Sequence, residues 1–169
     1  MYATHLECPK CHIHQNYDQF AQLCPACGSP LLVRYDLSKI REAVKKEDIA
    51  KRRENLWRYR ELLPLADPEA AVSLGEVMTP LLHLKKLGEQ LGFSQLYLKD
   101  EGMNPGGTFK SRGAAVGVSR ARELGITKLA MPTNGNAGAA WAIYCAKAGI
   151  EAYIVMPVDA PAITRNECA

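Results

Sequence analysis

One lysine lies at a position suited to covalent chemistry, directly after a loop that contains two glycines. Residues 104–113 read Asn-Pro-Gly-Gly-Thr-Phe-Lys-Ser-Arg-Gly, which places Lys110 at the predicted first turn of a helix. A second polar loop, Thr-Asn-Gly-Asn-Ala-Gly at 133–138, also lies between a strand-like run and a helix-like run. A lysine held where backbone N–H groups converge, beside an asparagine-bearing loop, suits an imine to an anionic aldehyde cofactor.

Two other phosphate-binding interpretations of these loops fail on spacing. Gly102 and Gly107 have the separation found in a P-loop, but Thr108 stands where the P-loop lysine belongs. No G-x-G-x-x-G occurs in the chain, so the dinucleotide fingerprint is absent. Pyridoxal phosphate (PLP) is the anionic aldehyde that fits the remaining pattern. Without its flanking residues, Lys110 would be interpreted as an ordinary solvated lysine.

Several motifs resemble those of one enzyme family. The lysine segment is similar to the N-P-T-G-S-F-K-D/A-R-G motif of fold type II PLP enzymes, and the second loop to their T/S-S/A-G-N-A/H motif. Residues 73–76 (Ser-Leu-Gly-Glu) and 79–81 (Thr-Pro-Leu) resemble the S-L-G-E-G-x-T-P-L segment of threonine synthases, and residues 56–64 are also like that family. The motifs occur in the family's order, so the chain is identified as a member of the threonine synthase family.

The elements that must position these loops follow an α/β pattern. Three strand-like runs (95–99, 128–132 and 151–156) alternate with three helix-like runs (82–92, 114–124 and 139–147). This alternation predicts a mostly parallel sheet with flanking helices, and the resemblance implies the tryptophan synthase β-like fold type II architecture. Both special loops then lie outside the carboxyl ends of strands, where ligands of open α/β sheets bind.

The family resemblance also implies roles for individual residues. Lys110 would carry the cofactor covalently and act as the catalytic base, and Asn136 would contact the phenolic oxygen of PLP. The residues assigned to the substrate are Thr108, Thr133, Asn134, Gly135 and Ala137. Because Lys110 must be unprotonated to form an imine, we expect it to lie buried beside positive dipoles. Arg112 has two interpretations that the sequence supports equally: it forms an ion pair on the helix surface, or it binds an acidic group or a phosphate.

The implied reaction converts O-phospho-L-homoserine and water to L-threonine and phosphate. Lys110 would remove the Cα proton while the pyridine ring accepts electrons, and water would add at Cβ after phosphate leaves. Sister fold type II enzymes remain open, namely cysteate synthase, threonine dehydratase and cysteine synthase, because they share Lys110 and Asn136. A non-catalytic zinc-ribbon binding module is the alternative from another class.

Four of the six cysteines form two Cys-x-x-Cys pairs, Cys8 with Cys11 and Cys24 with Cys27, separated by 12 residues. Two such turns can place four thiolates tetrahedrally around one Zn²⁺ at about 2.3 Å. We therefore predict a structural zinc ribbon, with the nearby histidines His12 and His14 as surface residues. The alternative is a disulfide framework, which requires an oxidising compartment that nothing in the sequence suggests.

Composition and motif positions predict the organisation of the chain. A net charge of +3 with both signs interspersed gives no reason to expect a nucleic-acid or anionic-membrane partner, and we predict neither. No run of about 18 apolar residues and no signal pattern occur, so we expect no membrane span and a cytoplasmic protein. Three parts are predicted: a zinc ribbon at 1–35, a charged helical linker at 36–72, and the N-terminal part of the PLP-dependent core at 73–169.

The chain departs from the family pattern in a few places. Gly106 replaces a threonine, Thr108 replaces a serine, and Val77 with Met78 replaces Gly-x before Thr79. The family's glycine-rich phosphate loop, and the Ser or Thr that faces the pyridine nitrogen, do not occur in these 169 residues. We therefore expect a truncated chain that is inactive alone, and a homodimer is one assembly open to the complete protein.

Overall fold

The computed structural model describes residues 2–169, which form a small N-terminal ribbon (residues 2–35), a linker and an α/β unit. The strands are β1 (Ala3–Glu7), β2 (His14–Gln15), β3 (Leu32–Tyr35), β4 (Leu81–His83), β5 (Tyr97–Lys99), β6 (Lys128–Pro132) and β7 (Glu151–Val155). The helices are α1 (Leu37–Ala43), α2 (Lys46–Lys51), α3 (Lys85–Leu91), α4 (Lys110–Glu123), α5 (Asn136–Ala148) and α6 (Ala162–Glu167). Short 3₁₀ turns lie at Leu56–Leu62, Pro68–Ala70, Glu101–Met103 and Pro105–Gly107. None of the helices formed by residues 2–169 has the length and apolar character needed to cross a membrane.

The N-terminal ribbon is a three-stranded antiparallel sheet in which β1 lies between β2 and β3. Its small buried core consists of Ala3, Leu6 and Tyr17. Two tight turns carry the four cysteines, because the N–H groups of His12 and Gly28 return to the carbonyls of Cys8 and Cys24. Each turn therefore brings its Cys-x-x-Cys thiols to the same end of the ribbon.

The linker between the ribbon and the α/β unit is built from short helices. Asp36 caps α1, since its Oδ1 accepts the backbone N–H of Lys39 at 3.0 Å. Arg52 and Glu61 form a bidentate ion pair at 2.7 and 2.8 Å, which joins the end of α2 to the following 3₁₀ turn. Residues 37–51 thus contain two short helices, as their charged sequence led us to expect.

The α/β unit has α4 packed on α5 beside a parallel strand pair. β6 and β7 pair from Lys128 opposite Glu151 to Pro132 opposite Val155, with α5 as the crossover. The buried core contains Val72, Ala114, Ala115, Val118, Ala121, Ala140, Tyr144, Cys145 and Ile150. Small residues dominate this core, so the two helices can approach closely.

Two details of the sheet differ from the prediction, although the α/β class is confirmed. β5 was expected beside β6 and β7, but it pairs with β4 in the antiparallel direction. Parallel pairing among residues 2–169 is confined to β6 and β7. Residues 81–83 form β4 rather than the start of a helix at 82. A three-residue apolar run has no resolvable period, so its partner strand decides its conformation.

Candidate active site and metal site

The loop before α4 places Lys110 at the first residue of the helix. Gly106 and Gly107 have φ angles of 71° and 66°, in the left-handed region that glycine adopts without steric cost. The threonine of the family motif would be strained at position 106 in this conformation. The loop ends at Thr108, which is buried and whose Oγ1 accepts the N–H of Lys110 at 3.4 Å.

The second loop is held together by Thr133. Its Oγ1 accepts the N–H groups of Gly135 and Gly138, both at 3.1 Å, and its hydroxyl donates to the Gly135 carbonyl at 3.0 Å. The Thr133 N–H donates to the carbonyl of Val155 at 2.8 Å, which fastens the loop to β7. All the donors of Thr133 are therefore used within the protein. Helix α5 begins at Asn136, three residues before the predicted start.

Both loops face one open cleft of about 550 Å³. This volume lies within the range of roughly 300–1,000 Å³ that is typical of small-molecule sites. The cleft is lined by Thr108, Phe109, Lys110, Pro132, Thr133, Asn134, Gly135, Asn136 and Ala137. The structure thus brings together all seven residues that the sequence analysis assigned to cofactor and substrate.

The expectation that Lys110 is buried is wrong for this structure. Its side chain is exposed at the open side of the cleft, and its Nζ lies 4.7 Å from the centre of the Phe109 ring. Phe109 is itself 58% exposed. The cleft is open to solvent above the first turn of α4, which explains why the lysine is hydrated rather than surrounded by protein.

The donor groups of the cleft fit an anionic aldehyde such as PLP and an anionic substrate. The N–H groups of Asn134, Asn136 and Ala137 donate no hydrogen bond to any of residues 2–169. Those of Asn136 and Ala137 lie at the N-terminus of α5, where the helix dipole favours negative charge. A primary amine and unpaired N–H groups in one cleft supply the nucleophile and the anion donors that such ligands need.

The carboxylate of Glu101 links segments that precede and follow Lys110 in the chain. Its carboxylate accepts hydrogen bonds from Arg112 at 2.6 and 2.9 Å, from Asn104 at 2.9 Å, and from the hydroxyl of Thr79. The Arg112 guanidinium, helped by the Thr79 hydroxyl, lowers the pKa of Glu101 to about 2. Of the two interpretations of Arg112, the structure shows the ion pair. Glu101 was not predicted as part of the site, although an acidic residue two positions after a strand, near an arginine-bearing helix, is a usable signal.

Glu76 is a fully buried carboxylate for which no role was predicted from the sequence. It accepts hydrogen bonds from the Leu74 N–H at 2.9 Å, from the Ser73 hydroxyl at 2.7 Å and from the Tyr144 hydroxyl. Burial, together with the hydrogen bond to Glu76, raises the pKa of Tyr144. The Ser-Leu-Gly-Glu motif is thereby fastened to α5, the helix that follows the asparagine loop.

The four predicted cysteines form one cluster. The Sγ atoms of Cys8 and Cys27 lie 3.5 Å apart, those of Cys11 and Cys24 3.4 Å, and those of Cys11 and Cys27 3.7 Å. Tetrahedral zinc with bonds of about 2.3 Å would hold its sulfurs about 3.8 Å apart, whereas a disulfide needs about 2.05 Å. All four cysteines are unpaired in this structure. Hydrogen bonds from Ser29 lower the pKa of Cys27 to about 6.

The nearby histidines stay outside the cysteine cluster. The Nδ1 of His12 lies 2.9 Å from the carboxylate of Glu7. His14 stacks on His5 across the sheet, with ring centroids 4.1 Å apart. Both His12 and His14 are exposed, as predicted for surface residues.

Curated relatives of this chain include two archaeal threonine synthases. The protein from Methanocaldococcus jannaschii is 40% identical over 150 residues, which is 89% of this chain and 37% of the relative. The protein from Methanosarcina acetivorans is 39% identical over 159 residues, which is 94% of this chain and 38% of the relative. The chain therefore spans less than two fifths of the length of these relatives.

Comparisons of structure and of family lead to the same class. The processed form of threonine deaminase isoform 2 from Solanum lycopersicum matches with a TM-score of 0.51 over 99% of this chain and 39% of that chain. At 21% identity, this match shows a shared fold alone. The family model described as "Pyridoxal-phosphate dependent enzyme" matches residues 72–169, more than half of the chain. The resemblance seen in the motifs is confirmed, and the chain belongs to the family of pyridoxal-phosphate dependent enzymes.

Proposed function

We propose that this chain supplies the lysine and asparagine loops of a threonine synthase, which converts O-phospho-L-homoserine and water to L-threonine and phosphate. One observation carries the proposal: Lys110 and the 133–137 loop converge on one cleft in a chain about 40% identical to threonine synthases. The substrate carries a carboxylate and a phosphate, and the unpaired N–H groups of the cleft match that negative charge.

The cofactor is assigned to Lys110 and Asn136. Pyridoxal 5′-phosphate, when bound, supplies an electron sink for the negative charge that develops at the substrate Cα. We propose that Nζ of Lys110 holds it covalently and that the side chain of Asn136 donates a hydrogen bond to its phenolic oxygen. Since Nζ is exposed at the mouth of the cleft, an aldehyde can reach it from solvent.

Lys110 is also the group assigned to move protons. When its amine is free of the cofactor, it lies at the start of α4 and can take a proton from the substrate Cα and return one later. A base must be neutral for this task, and removing water from around an amine favours the neutral form. We propose that substrate and the rest of a complete catalytic core cover the cleft, so that Lys110 becomes buried during the reaction.

The substrate carboxylate is assigned to the N-terminus of α5. The N–H groups of Asn134, Asn136 and Ala137 are the donors that the loop leaves unpaired. We assign Thr133 and Gly135 a different contribution, because their hydrogen bonds hold the loop in shape. Thr108 lines the opposite side with a hydroxyl that donates no hydrogen bond within residues 2–169.

The N-terminal ribbon is assigned a structural zinc. Cys8, Cys11, Cys24 and Cys27 supply four sulfur ligands, which is the donor set of closed structural zinc sites. The domain boundaries proposed are 1–35 for the zinc ribbon, 36–72 for the linker and 73–169 for part of the PLP-dependent core. A cytoplasmic location, also proposed, would keep these thiols reduced and available to the metal.

Covalent trapping tests the cofactor site. The purified chain is incubated with PLP, reduced with borohydride and mapped by peptide mass spectrometry. We expect the adduct at Lys110 ahead of the other lysines, and we expect Lys110→Arg to remove it. Lys85→Arg, which changes an exposed lysine of α3, is the matched control and should leave the adduct in place. An adduct spread evenly over exposed lysines contradicts the proposed site.

Substrate choice is tested by product analysis of the PLP-loaded protein. O-phosphohomoserine is compared with phosphoserine and threonine, the substrates of sister enzymes. Release of phosphate with formation of threonine supports the proposal, whereas ammonia released from threonine would assign the chain to the dehydratases. A chain that carries PLP on Lys110 but releases no phosphate would show that residues 1–169 are insufficient for turnover.

A further inference from the structure

The N-terminal ribbon and the lysine helix meet at one partly buried arginine. The guanidinium of Arg120 lies 4.0 Å from the centre of the Tyr17 ring, and its Nη2 donates to the Tyr17 carbonyl oxygen. Tyr17 is 3% exposed and belongs to the apolar core of the ribbon. Arg120 lies 103 residues later in the chain, near the end of the helix that begins at Lys110.

The same arginine also reaches the linker through Glu123. Arg120 donates to the Glu123 carboxylate, and Oε1 of Glu123 accepts the N–H groups of Ala66 at 2.7 Å and Asp67 at 2.6 Å. The Arg120 and Glu123 side chains are only 16% and 11% exposed. A buried ion pair is costly unless its other polar atoms are satisfied, and here a carbonyl and two N–H groups satisfy them. Ribbon, linker and α4 therefore share one polar junction.

We propose that this junction makes the N-terminal ribbon a brace for the lysine helix, so that metal bound by the ribbon stabilises α4. This inference rests on the proposed zinc site. A zinc ribbon without metal loses the turns that hold its core together, and Tyr17 is part of that core. The free energy of metal binding then stabilises any segment whose folded contacts depend on the ribbon. Arg120 couples α4 to the ribbon because it contacts Tyr17 in the ribbon and Glu123 in its own helix.

The ring of Tyr17, rather than its hydroxyl, makes the contact. The hydroxyl oxygen is buried without a hydrogen-bond partner among residues 2–169. Burial raises the pKa of Tyr17 to about 12, so the phenol is neutral near pH 7 and forms no ion pair with Arg120. The attraction comes from the face of the ring and from the backbone carbonyl. A phenylalanine would keep both.

Hydrogen exchange of the 169-residue chain, measured with bound zinc and after chelation, tests the brace. In the wild type we expect chelation to lower protection in the ribbon and, by about fivefold or more, in the last turn of α4. In Arg120→Gln the ribbon should still respond to chelation, but α4 should not. Arg122→Gln, an exposed arginine of the same helix, is the matched control and should behave as the wild type.

Two ribbon variants guard against a trivial folding defect in Arg120→Gln. Tyr17→Phe should leave the response of α4 unchanged, whereas Tyr17→Leu, which removes the ring beneath the guanidinium, should abolish it. The brace is refuted if chelation lowers hydrogen-exchange protection in the ribbon of the wild type but not in α4. It is also refuted if chelation still lowers the protection of α4 in Arg120→Gln. If the chain binds no zinc, both the metal site and the brace are refuted. PLP trapping at Lys110 tests the proposed cofactor site independently of that result.

Discussion

The cysteine cluster and the lysine cleft are organised in opposite ways. In the cluster, the ribbon brings the two cysteine turns together, so that sulfurs of different turns lie 3.4–3.7 Å apart, close to the spacing that zinc imposes. In the cleft, two loops meet across about 550 Å³ of open space, and the reactive lysine is exposed. The four sulfurs of the first region are already in contact with one another, whereas the groups of the second region line an open cleft.

This difference reflects how far apart in the chain the ligands lie. The cysteines of each pair are three residues apart in one tight turn, and only 12 residues separate the two turns within one small sheet. The cleft joins Lys110 to a loop more than 20 residues later, and its geometry depends on how α4 packs on α5 and on β6. A locally built site tolerates change elsewhere in the fold, whereas a site built between elements does not.

The largest expected effect is loss of one zinc ligand. Cys24→Ser removes one of the four sulfur ligands and should lower the zinc content of the purified chain about tenfold. The binding free energy of structural zinc is about 10–16 kcal/mol in comparable small domains, and it depends on the complete set of ligands. Elemental analysis and native mass spectrometry measure the content. Cys168→Ser, which changes a thiol outside the cluster, should leave it unchanged. Equal losses in both variants would show that the cluster is not the metal site.

A smaller effect is expected from closing the space at Gly138, beneath the asparagine loop. A Cβ at this position would lie 2.5 Å from Cγ2 of Thr133 and 2.8 Å from Cγ2 of Ile154. Gly138→Ala should therefore cost about 1–3 kcal/mol in denaturant unfolding and weaken PLP trapping at Lys110, without changing zinc content. Gly113→Ala in α4 meets no atom within 4 Å and should be neutral or stabilising. A neutral Gly138→Ala would mean that the loop adapts easily.

The acid sensitivity of the α/β unit should depend on Glu101. The pKa of Glu101 is about 2 in the folded protein, against 4.5 for an unperturbed glutamate. Its contribution to stability is therefore complete above about pH 4.5 and is lost as the pH falls toward 2. Glu101→Gln should lower stability near pH 7 by about 1–3 kcal/mol and flatten the acid dependence.

Tryptophan fluorescence can follow this acid transition in the α/β unit alone. The only two tryptophans, Trp57 and Trp141, pack against the α/β core and none lies in the ribbon. Glu89→Gln, at an exposed position of α3, is the control and should keep the wild-type profile. An unchanged acid transition in Glu101→Gln would assign the sensitivity to another group near the tryptophans, such as Glu61, whose pKa the hydrogen bonds from Arg52 also lower.

The smallest effect is expected at Asp36, between the two regions. Asp36→Ala removes the cap of α1 and should cost about 0.5–2 kcal/mol. Neither zinc content nor PLP trapping at Lys110 should change, because Asp36 contacts neither site. Circular dichroism and thermal unfolding measure the loss. Loss of zinc or of PLP trapping in this variant would show that the linker also supports one of the two sites.

Much of the cleft could be predicted because its parts lie in two short segments. The glycine-bearing loop and the helix at Lys110 were placed correctly, the asparagine segment was placed correctly except that α5 begins within it, and both segments line one cleft. The exposure of Lys110 was not predicted, since solvent access depends on what covers the cleft. The pairing of β4 with β5 was also missed, because strands of three residues carry too little pattern to reveal their partner.

By itself the sequence determined the chemistry that short spacings encode: four thiols in two turns, a lysine after two glycines, and an asparagine loop before a helix. Only the tertiary structure decided the contacts between distant segments, namely Glu101 with Arg112, Glu76 with Tyr144, and Arg120 with Tyr17. The physical reason is that backbone geometry sets the distance between residues a few positions apart. Beyond that range, the distance between two side chains depends on how whole elements pack.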